Sequence, residues 1–285
     1  MHFRTSLAVG TVGLISVLGV LHAQKPFKEY PGLEYENFAL PNDYKQPAEW
    51  VRARLRYPDI YGYPFRSLRL ADGRDFPGYW TMDYPRSDRH LLQGVRRLTR
   101  IDTRSVEQVV SLDGTDEIYN WPVLYAVEVG HWMLPVDQAK QLREYLLRGG
   151  FFMVDDFHGS APFEGLNEWQ MFTDSMVKVF PDRPIEDIPG NDPIFHTLYD
   201  LDDRFQVPGF VNWKENHITY EKGETGKEPH WRCIRDDKGR IIVAICHNMD
   251  LGDAWENSDD PTYQENWASL AYRVAMNYFV YDLTH

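Results

Sequence analysis

The hydrophobic residues of this chain follow a strand period in several short stretches. In residues 51–57, apolar side chains alternate with Arg52, Arg54 and Arg56, which predicts a strand with one polar face. Further strands are predicted where apolar residues alternate or run together: 106–112, 123–129, 151–154 and 241–245. The run 123–129 is almost continuously apolar, which is typical of a strand covered on both faces in a parallel sheet.

Helix-period stretches separate these strands. Asp88 is a suitable N-cap for a helix whose last apolar position is Leu98. Three more helices are predicted, over 136–148 with Gly149 at the C-terminal cap, over 166–180 and over 262–280. Because strands and helices alternate, we expect a single α/β domain over residues 50–285, with a doubly wound and mostly parallel sheet.

A hairpin and a long aromatic segment are added to this pattern. Residues 230–246 predict a hairpin that places Cys233 opposite about residue 243 and Cys246 opposite about residue 230. The two cysteines are then offset along the ladder, so we expect isolated thiols and no disulfide. Residues 59–86 contain seven aromatic residues and are too long for an ordinary connection. This segment either binds a ligand at the mouth of a site or uses its aromatic side chains to hold itself against the core.

The first residues have the pattern of an export signal. Arg4 precedes an uncharged, mostly apolar run over 7–20, and Ala23 is a suitable cleavage position. We therefore expect a signal peptide over 1–23, an irregular arm over 24–49, and a periplasmic or secreted protein with no membrane span after cleavage. An uncleaved N-terminal anchor is the alternative. The net charge of −13 argues against nucleic acid and anionic membrane as partners.

Acidic, histidine and tryptophan residues follow the ends of three predicted strands. In a parallel sheet such strand ends lie at one edge, where α/β proteins bind ligands. The predicted ligand-binding residues are Glu128, His131 and Trp132 after the first strand, Asp155, Asp156 and His158 after the second, and Asp250 and Trp255 after the third.

Two interpretations of these residues stay open. Carboxylate and imidazole suit a divalent metal, with Asp155, Asp156, His158 and His131 as candidate ligands. Aspartates at strand ends also cap helices and fix loops, which needs no ligand. No serine or cysteine stands at the turn after 151–154, and no glycine-rich phosphate loop occurs. No cofactor is expected apart from a divalent metal.

Several motifs occur in order and together resemble a known family. They are Arg54–Pro58, Gly130-His131-Trp132, Gly149-Gly150-Phe151, Asp155-Asp156, Val179-Phe180-Pro181, Pro193-Ile194-Phe195, and Asp250-Leu251-Gly252 followed by Trp255-Glu256. This pattern, over most of residues 50–282, resembles the bacterial domain-of-unknown-function family 4159. The resemblance implies a flavodoxin-like fold similar to that of class I glutamine amidotransferases. In those enzymes the turn after the corresponding strand bears a catalytic cysteine, where this chain has Asp155-Asp156-Phe157-His158.

Two functional hypotheses follow. The leading one is a non-catalytic binding domain outside the cytoplasm, which recognises a small molecule or an envelope protein. The alternative is a metal-dependent hydrolase acting on carbohydrate or cell-envelope material. In that alternative, Asp155 or Asp156 with His158 and His131 holds the ion, and Glu128 is the general base.

Overall fold

The computed structural model describes residues 25–32, 38–48, 50–60, 73–161 and 166–285 of the chain. The predicted signal peptide lies outside the described residues, as does part of the predicted arm. Within the described ranges, none of the helices combines the length and the apolar composition needed to cross a membrane.

Seven strands form one mixed sheet that is mostly parallel. Its strand order is β2-β1-β3-β4-β9-β8-β7, and the first five of these strands run parallel to one another. Strands β8 and β7 add an antiparallel edge, and β5 and β6 form a separate two-stranded sheet. The strands are β1 (Arg52–Arg56), β2 (Gln108–Ser111), β3 (Val123–Val127), β4 (Phe151–Asp155), β5 (Ser160–Ala161), β6 (Leu166–Asn167), β7 (Glu186–Asp187), β8 (His230–Arg235) and β9 (Ile241–His247).

Six α-helices occur among the described residues, and they cover both faces of the sheet. They are α1 (Arg86–Leu98), α2 (Val136–Leu147), α3 (Glu168–Val179), α4 (Phe210–Asn216), α5 (Leu251–Glu256) and α6 (Glu265–Thr284). Helices α1, α5 and α6 pack together on one face, and α2 packs with α3 on the other. The expected α/β class and mostly parallel sheet are confirmed, and the strand order is compatible with a flavodoxin-like arrangement.

The central strand β4 explains why two cores form. Phe151 and Met153 belong to the hydrophobic core under α1, α5 and α6, whereas Phe152 and Val154 belong to the core under α2 and α3. Alternate side chains of a strand point to opposite faces, so an unbroken apolar run supplies both cores. The strand ends where the apolar run gives way to Asp155 and Asp156, and this transition fixes the position of both carboxylates at the sheet edge.

The start of α1 differs from the prediction. The helix begins at Arg86 with Pro85 at the N-cap, so the prediction of Asp88 as the cap is wrong. Asp88 is instead fully buried beneath β1, where its carboxylate pairs with Arg52 and Arg54. Burial alone would raise the pKa of Asp88, but the two guanidinium groups lower it. Arg52 and Arg54 of β1 thus form a buried ion-pair network with Asp88.

The hairpin of β8 and β9 has the predicted register. Cys233 pairs with Ala244 and Cys246 pairs with Trp231, so both cysteines are free thiols, as expected. Burial raises the pKa of Cys233 to about 12 and raises that of Cys246 well above its usual range. Strand β9 also runs parallel to β4, which brings its C-terminal end beside Asp155 and Asp156.

Candidate functional site

Three distant chain segments meet at the carboxyl edge of the parallel strands. The segment between β1 and α1 contributes Asp83, the end of β4 contributes Asp156, and the turn after β9 contributes Asp250. One carboxylate oxygen of each residue lies within 4.8 Å of the corresponding oxygens of the other two. We call these three residues the acidic triad. Oxygen ligands in this number and spacing suit a hard divalent cation such as calcium or magnesium.

The acidic triad is almost closed to solvent. Asp83, Asp156 and Asp250 are 4%, 7% and 4% exposed, respectively. Asp250 is also the N-cap of α5, where one of its oxygens accepts the backbone N–H of Asp253 at 2.7 Å. Buried carboxylates normally have a compensating charge, because an uncompensated charge in a protein interior is costly.

Burial and the repulsion between neighbouring carboxylates raise the pKa of two members of the acidic triad. The pKa of Asp156 is raised well above its usual value, first by burial and then by the charges of Glu128, Asp83 and Glu221. The pKa of Asp250 is raised in the same way, by burial and then by Asp156, Asp253 and Asp83. The triad therefore favours the uptake of a proton or a cation.

A second carboxylate group adjoins the acidic triad through Asp83. Carboxylate oxygens of Asp83, Asp253 and Glu256 also lie within 4.8 Å of one another. Asp253 is fixed in part by the backbone N–H of Phe210, whose nitrogen lies 2.6 Å from its Oδ2. The negative field therefore extends from the triad along the first turns of α5.

Two glycines make room for these carboxylates. A Cβ on Gly252 would lie 2.1 Å from Oδ2 of Asp83, and a Cβ on Gly209 would lie 2.4 Å from Oε1 of Glu221. A side chain at Gly252 would therefore displace a member of the acidic triad. The glycine after Asp250-Leu251 in the sequence motif has a steric role at the site.

Asp155 and Asp156 have different environments although they are neighbours. Oδ2 of Asp155 accepts the backbone N–H groups of Leu251 at 2.7 Å and Gly252 at 3.0 Å. Burial raises the pKa of Asp155 to about 6, against the lowering effect of Tyr125 and of these two N–H groups. Asp155 thus anchors the start of α5, whereas the next residue, Asp156, belongs to the acidic triad.

His158 contacts the acidic triad, whereas His131 contacts a different carboxylate. Nε2 of His158 is 3.2 Å from Oδ1 of Asp156, and the His158 backbone N–H donates to Oε2 of Glu168 at 2.6 Å. Nδ1 of His131 is 2.9 Å from Oε2 of Glu128, and its ring stacks on Tyr79 at 3.9 Å. The two predicted histidine ligands therefore face different carboxylates.

The pKa of His131 reflects this carboxylate environment. Burial lowers it, but the charge and hydrogen bond of Glu128, together with the charge of Glu168, raise it overall above its usual value. Atoms of Glu128, His131 and Glu168 all lie within 4.8 Å of one another. This group, which we call the Glu-His-Glu cluster, contains the nitrogen ligand that the acidic triad lacks.

Left-handed backbone conformations are concentrated at the same edge. Asp83, Glu128, Asp156 and Asn248 have φ angles of 59°, 53°, 51° and 62°. Such angles are uncommon for residues with a side chain, and they are frequently found at functional sites. Glu128, Asp156 and Asn248 directly follow strand ends and Asp83 lies just before α1, and at each position the conformation sets the direction of a polar side chain.

The two predicted tryptophans lie in the hydrophobic core. Trp132 is fully buried and stacks on Phe172, with ring centroids 5.6 Å apart. Trp255 is fully buried and packs against Tyr125 at 5.6 Å. Both residues support the site from beneath, and neither side chain reaches the surface.

Sequence reasoning missed three acids at this edge, namely Asp83, Glu168 and Glu221. Asp83 lies in the aromatic segment 59–86, which was interpreted through its rings alone. Glu168 lies in the first turn of α3, where an acid is ordinarily explained by the helix dipole. The sequence signal for Asp83 is its place two residues before Pro85, in a long segment between a strand and a helix.

The chain was compared with known proteins. No curated protein matches it significantly. The family described as Domain of unknown function (DUF4159) matches residues 68–283, which cover most of the chain and include the acidic triad and the Glu-His-Glu cluster. The match begins at residue 68, later than the resemblance predicted from residue 50. Because the match covers most of the chain, the chain belongs to the DUF4159 family.

Proposed function

We propose that this protein is a binding domain whose ligand is held through a divalent cation at the acidic triad. The observation that supports it is the convergence of Asp83, Asp156 and Asp250, within 4.8 Å and almost fully buried. Three protein oxygens leave positions open on calcium, which takes 6–8 oxygen ligands. A ligand with hydroxyl or carboxylate oxygens would complete the coordination at the sheet edge.

The cation in this proposal is calcium or magnesium. All three ligand atoms are carboxylate oxygens, which these hard cations prefer. A cation would also relieve the repulsion that raises the pKa of Asp156 and Asp250. Its positive charge favours their ionised forms, so cation binding and ionisation of the triad support each other.

In this proposal the chain resembles class I glutamine amidotransferases in fold, but it does not carry out their reaction. Asp156 occupies the turn after β4, and both cysteines of the chain lie buried on β8 and β9. Their raised pKa values keep them as thiols, and the nucleophile is the thiolate form. These observations support a domain without cysteine-dependent catalysis.

A metal-dependent hydrolase is the second candidate. It would require a base beside the cation, and the sequence suggests Glu128. The Glu128 carboxylate lies 2.9 Å from Nδ1 of His131, so it is already engaged by an imidazole. This contact favours binding over hydrolysis as the main proposal.

Terbium luminescence tests the cation site directly. Terbium replaces calcium at oxygen-ligand sites, and the nearby Trp255, Tyr125 and Tyr263 can sensitise its emission. We expect saturable emission that calcium displaces, with at least tenfold weaker binding in Asp156→Asn and Asp250→Asn. Asp237→Asn is the matched control, because this aspartate side chain is 89% exposed in the β8–β9 turn. Equal terbium affinity in all four proteins would refute the proposal.

We also propose that the protein acts outside the cytoplasm. The basis is the apolar run over 7–20 after Arg4 and the alanine at position 23. Cell fractionation with N-terminal sequencing of the mature protein tests this. A protein recovered from the cytoplasm with residues 1–23 intact would contradict it.

A further inference from the structure

We propose that the Glu-His-Glu cluster of Glu128, His131 and Glu168 is a zinc site, separate from the calcium or magnesium position of the acidic triad. The cluster combines one imidazole with two carboxylates, a ligand set that zinc accepts and that calcium and magnesium rarely use. It differs from the acidic triad in ligand chemistry and shares no residue with it.

The geometry of the Glu-His-Glu cluster is close to that of a bound zinc ion. Tetrahedral zinc with bonds of about 2.0–2.1 Å has ligand atoms roughly 3.3 Å apart. Nδ1 of His131 is already 2.9 Å from Oε2 of Glu128, and one ligand atom from each of Glu128, His131 and Glu168 lies within 4.8 Å of the other two. Small side-chain rotations would therefore bring the three ligands to bonding distance.

The surrounding residues hold these ligands in place. Tyr79 stacks on the His131 ring with an interplanar angle of 9°, and the imidazole is only about 4% exposed. A Cβ on Gly130 would lie 2.4 Å from the Cβ of Glu168, so this glycine allows α3 to approach the 128–131 turn. The Glu128 side chain is 16% exposed, which leaves a path by which an ion can enter.

The ammonium group of a lysine contacts one carboxylate of the cluster. Nζ of Lys222 lies 3.2 Å from Oε1 of Glu168, a carboxylate that is fully buried. Lys222 reaches the cluster from a separate segment, and its side chain is 22% exposed. A long and partly exposed lysine can leave more easily than a buried one. We therefore infer that Lys222 and zinc compete for Glu168.

Zinc titration of the purified, untagged chain tests this inference. Affinity is measured by calorimetry against a competing chelator. We expect one zinc ion at this position, at least tenfold weaker binding in His131→Gln and Glu128→Gln, and at least threefold tighter binding in Lys222→Gln. The control is His196→Gln, because His196 forms a similar 2.9 Å contact with Asp200 at the surface.

Each outcome decides the inference. Unchanged zinc affinity in both His131→Gln and Glu128→Gln would overturn it, provided that their circular dichroism matches the wild type. Weaker zinc binding in Lys222→Gln would refute the inference that Lys222 competes with zinc for Glu168. The cation proposal for the acidic triad is judged separately, because Asp250→Asn should lose terbium and keep zinc, whereas His131→Gln should do the reverse.

Discussion

The replacement of Asp156 by asparagine is expected to have opposite effects on stability with and without a cation. In the cation-free protein the change removes a buried carboxylate that faces Asp83 and Asp250. In the cation-loaded protein it removes a ligand. Replacement of a residue that has only a structural role would change the stability in the same direction in both conditions.

The size of the effect follows from the spacing of the acidic triad. Two unit charges within 4.8 Å repel by roughly 3 kcal/mol at an effective dielectric constant of about 20. Three ionised carboxylates would then cost roughly 10 kcal/mol, which is comparable with the whole stability of a domain. Protonating one carboxyl of ordinary pKa at pH 7 costs only about 4 kcal/mol, so the cation-free triad takes up a proton instead.

Asparagine removes most of this protonation cost. We expect Asp156→Asn to raise the free energy of unfolding of the cation-free protein by about 1–3 kcal/mol at pH 7, or roughly 2–12 °C in Tm. With calcium at about 100 times its Kd, the wild type should gain about 2.7 kcal/mol and the variant almost nothing. The difference in Tm between Asp156→Asn and the wild type should therefore close or change sign when calcium is added.

The pH dependence has a definite sign. The folded-state pKa of Asp156 and Asp250 is raised, so their contribution is greatest below the ordinary carboxyl pKa and is lost as the pH rises through the raised values. Cation-free wild type should lose stability as the pH rises above about 4, and Asp156→Asn should lose less.

Thermal unfolding followed by circular dichroism, in EDTA and in calcium, measures these differences. Asp237→Asn is the control for loss of an aspartate, and it should gain as much stability from calcium as the wild type does. A variant that is less stable than wild type in EDTA, or that gains as much from calcium as wild type does, would refute the reasoning.

Three further predictions follow from the described contacts. Asp88→Asn should lower the free energy of unfolding by roughly 3–5 kcal/mol, because two buried arginines lose their counter-charge; a urea titration that shows less than about 1 kcal/mol would contradict this. Gly252→Ala should weaken terbium binding at least tenfold, since its Cβ would lie 2.1 Å from a triad oxygen, while Gly190→Ala, whose Cβ would meet its nearest neighbour at 3.6 Å, should leave binding unchanged. Cys233 and Cys246 should react with Ellman's reagent only after unfolding, because both thiols are buried with raised pKa values; rapid labelling of the native protein would disagree.

Local patterns predicted the elements that position the site. The apolar runs at 123–129 and 151–154 correspond to β3 and β4, and the pattern over 230–246 predicted the hairpin register. These features depend on side-chain alternation and turn chemistry over a few residues. They also placed Asp156 and Asp250 at one sheet edge, because parallel strands end together.

Long-range packing determined what local patterns could not predict. Asp83 comes from a segment without periodicity, and only the folded chain brings it within 4.8 Å of Asp156. The arginines of β1 predicted a strand with one polar face, and Arg52 and Arg54 are buried on it because Asp88 approaches them from α1. Trp132 and Trp255 stand next to the site in sequence, but they point into the core.

The acidic triad also links three parts of the chain that are far apart in sequence. A cation bound to Asp83, Asp156 and Asp250 would close two long loops at once, and the unfolded chain cannot form this arrangement. The site exists only when β4 and β9 lie side by side, after the last parallel strand has been added. A bound cation would therefore hold the end of β9 beside the end of β4, and a fragment that ends before β9 would lack Asp250 and could not form the site.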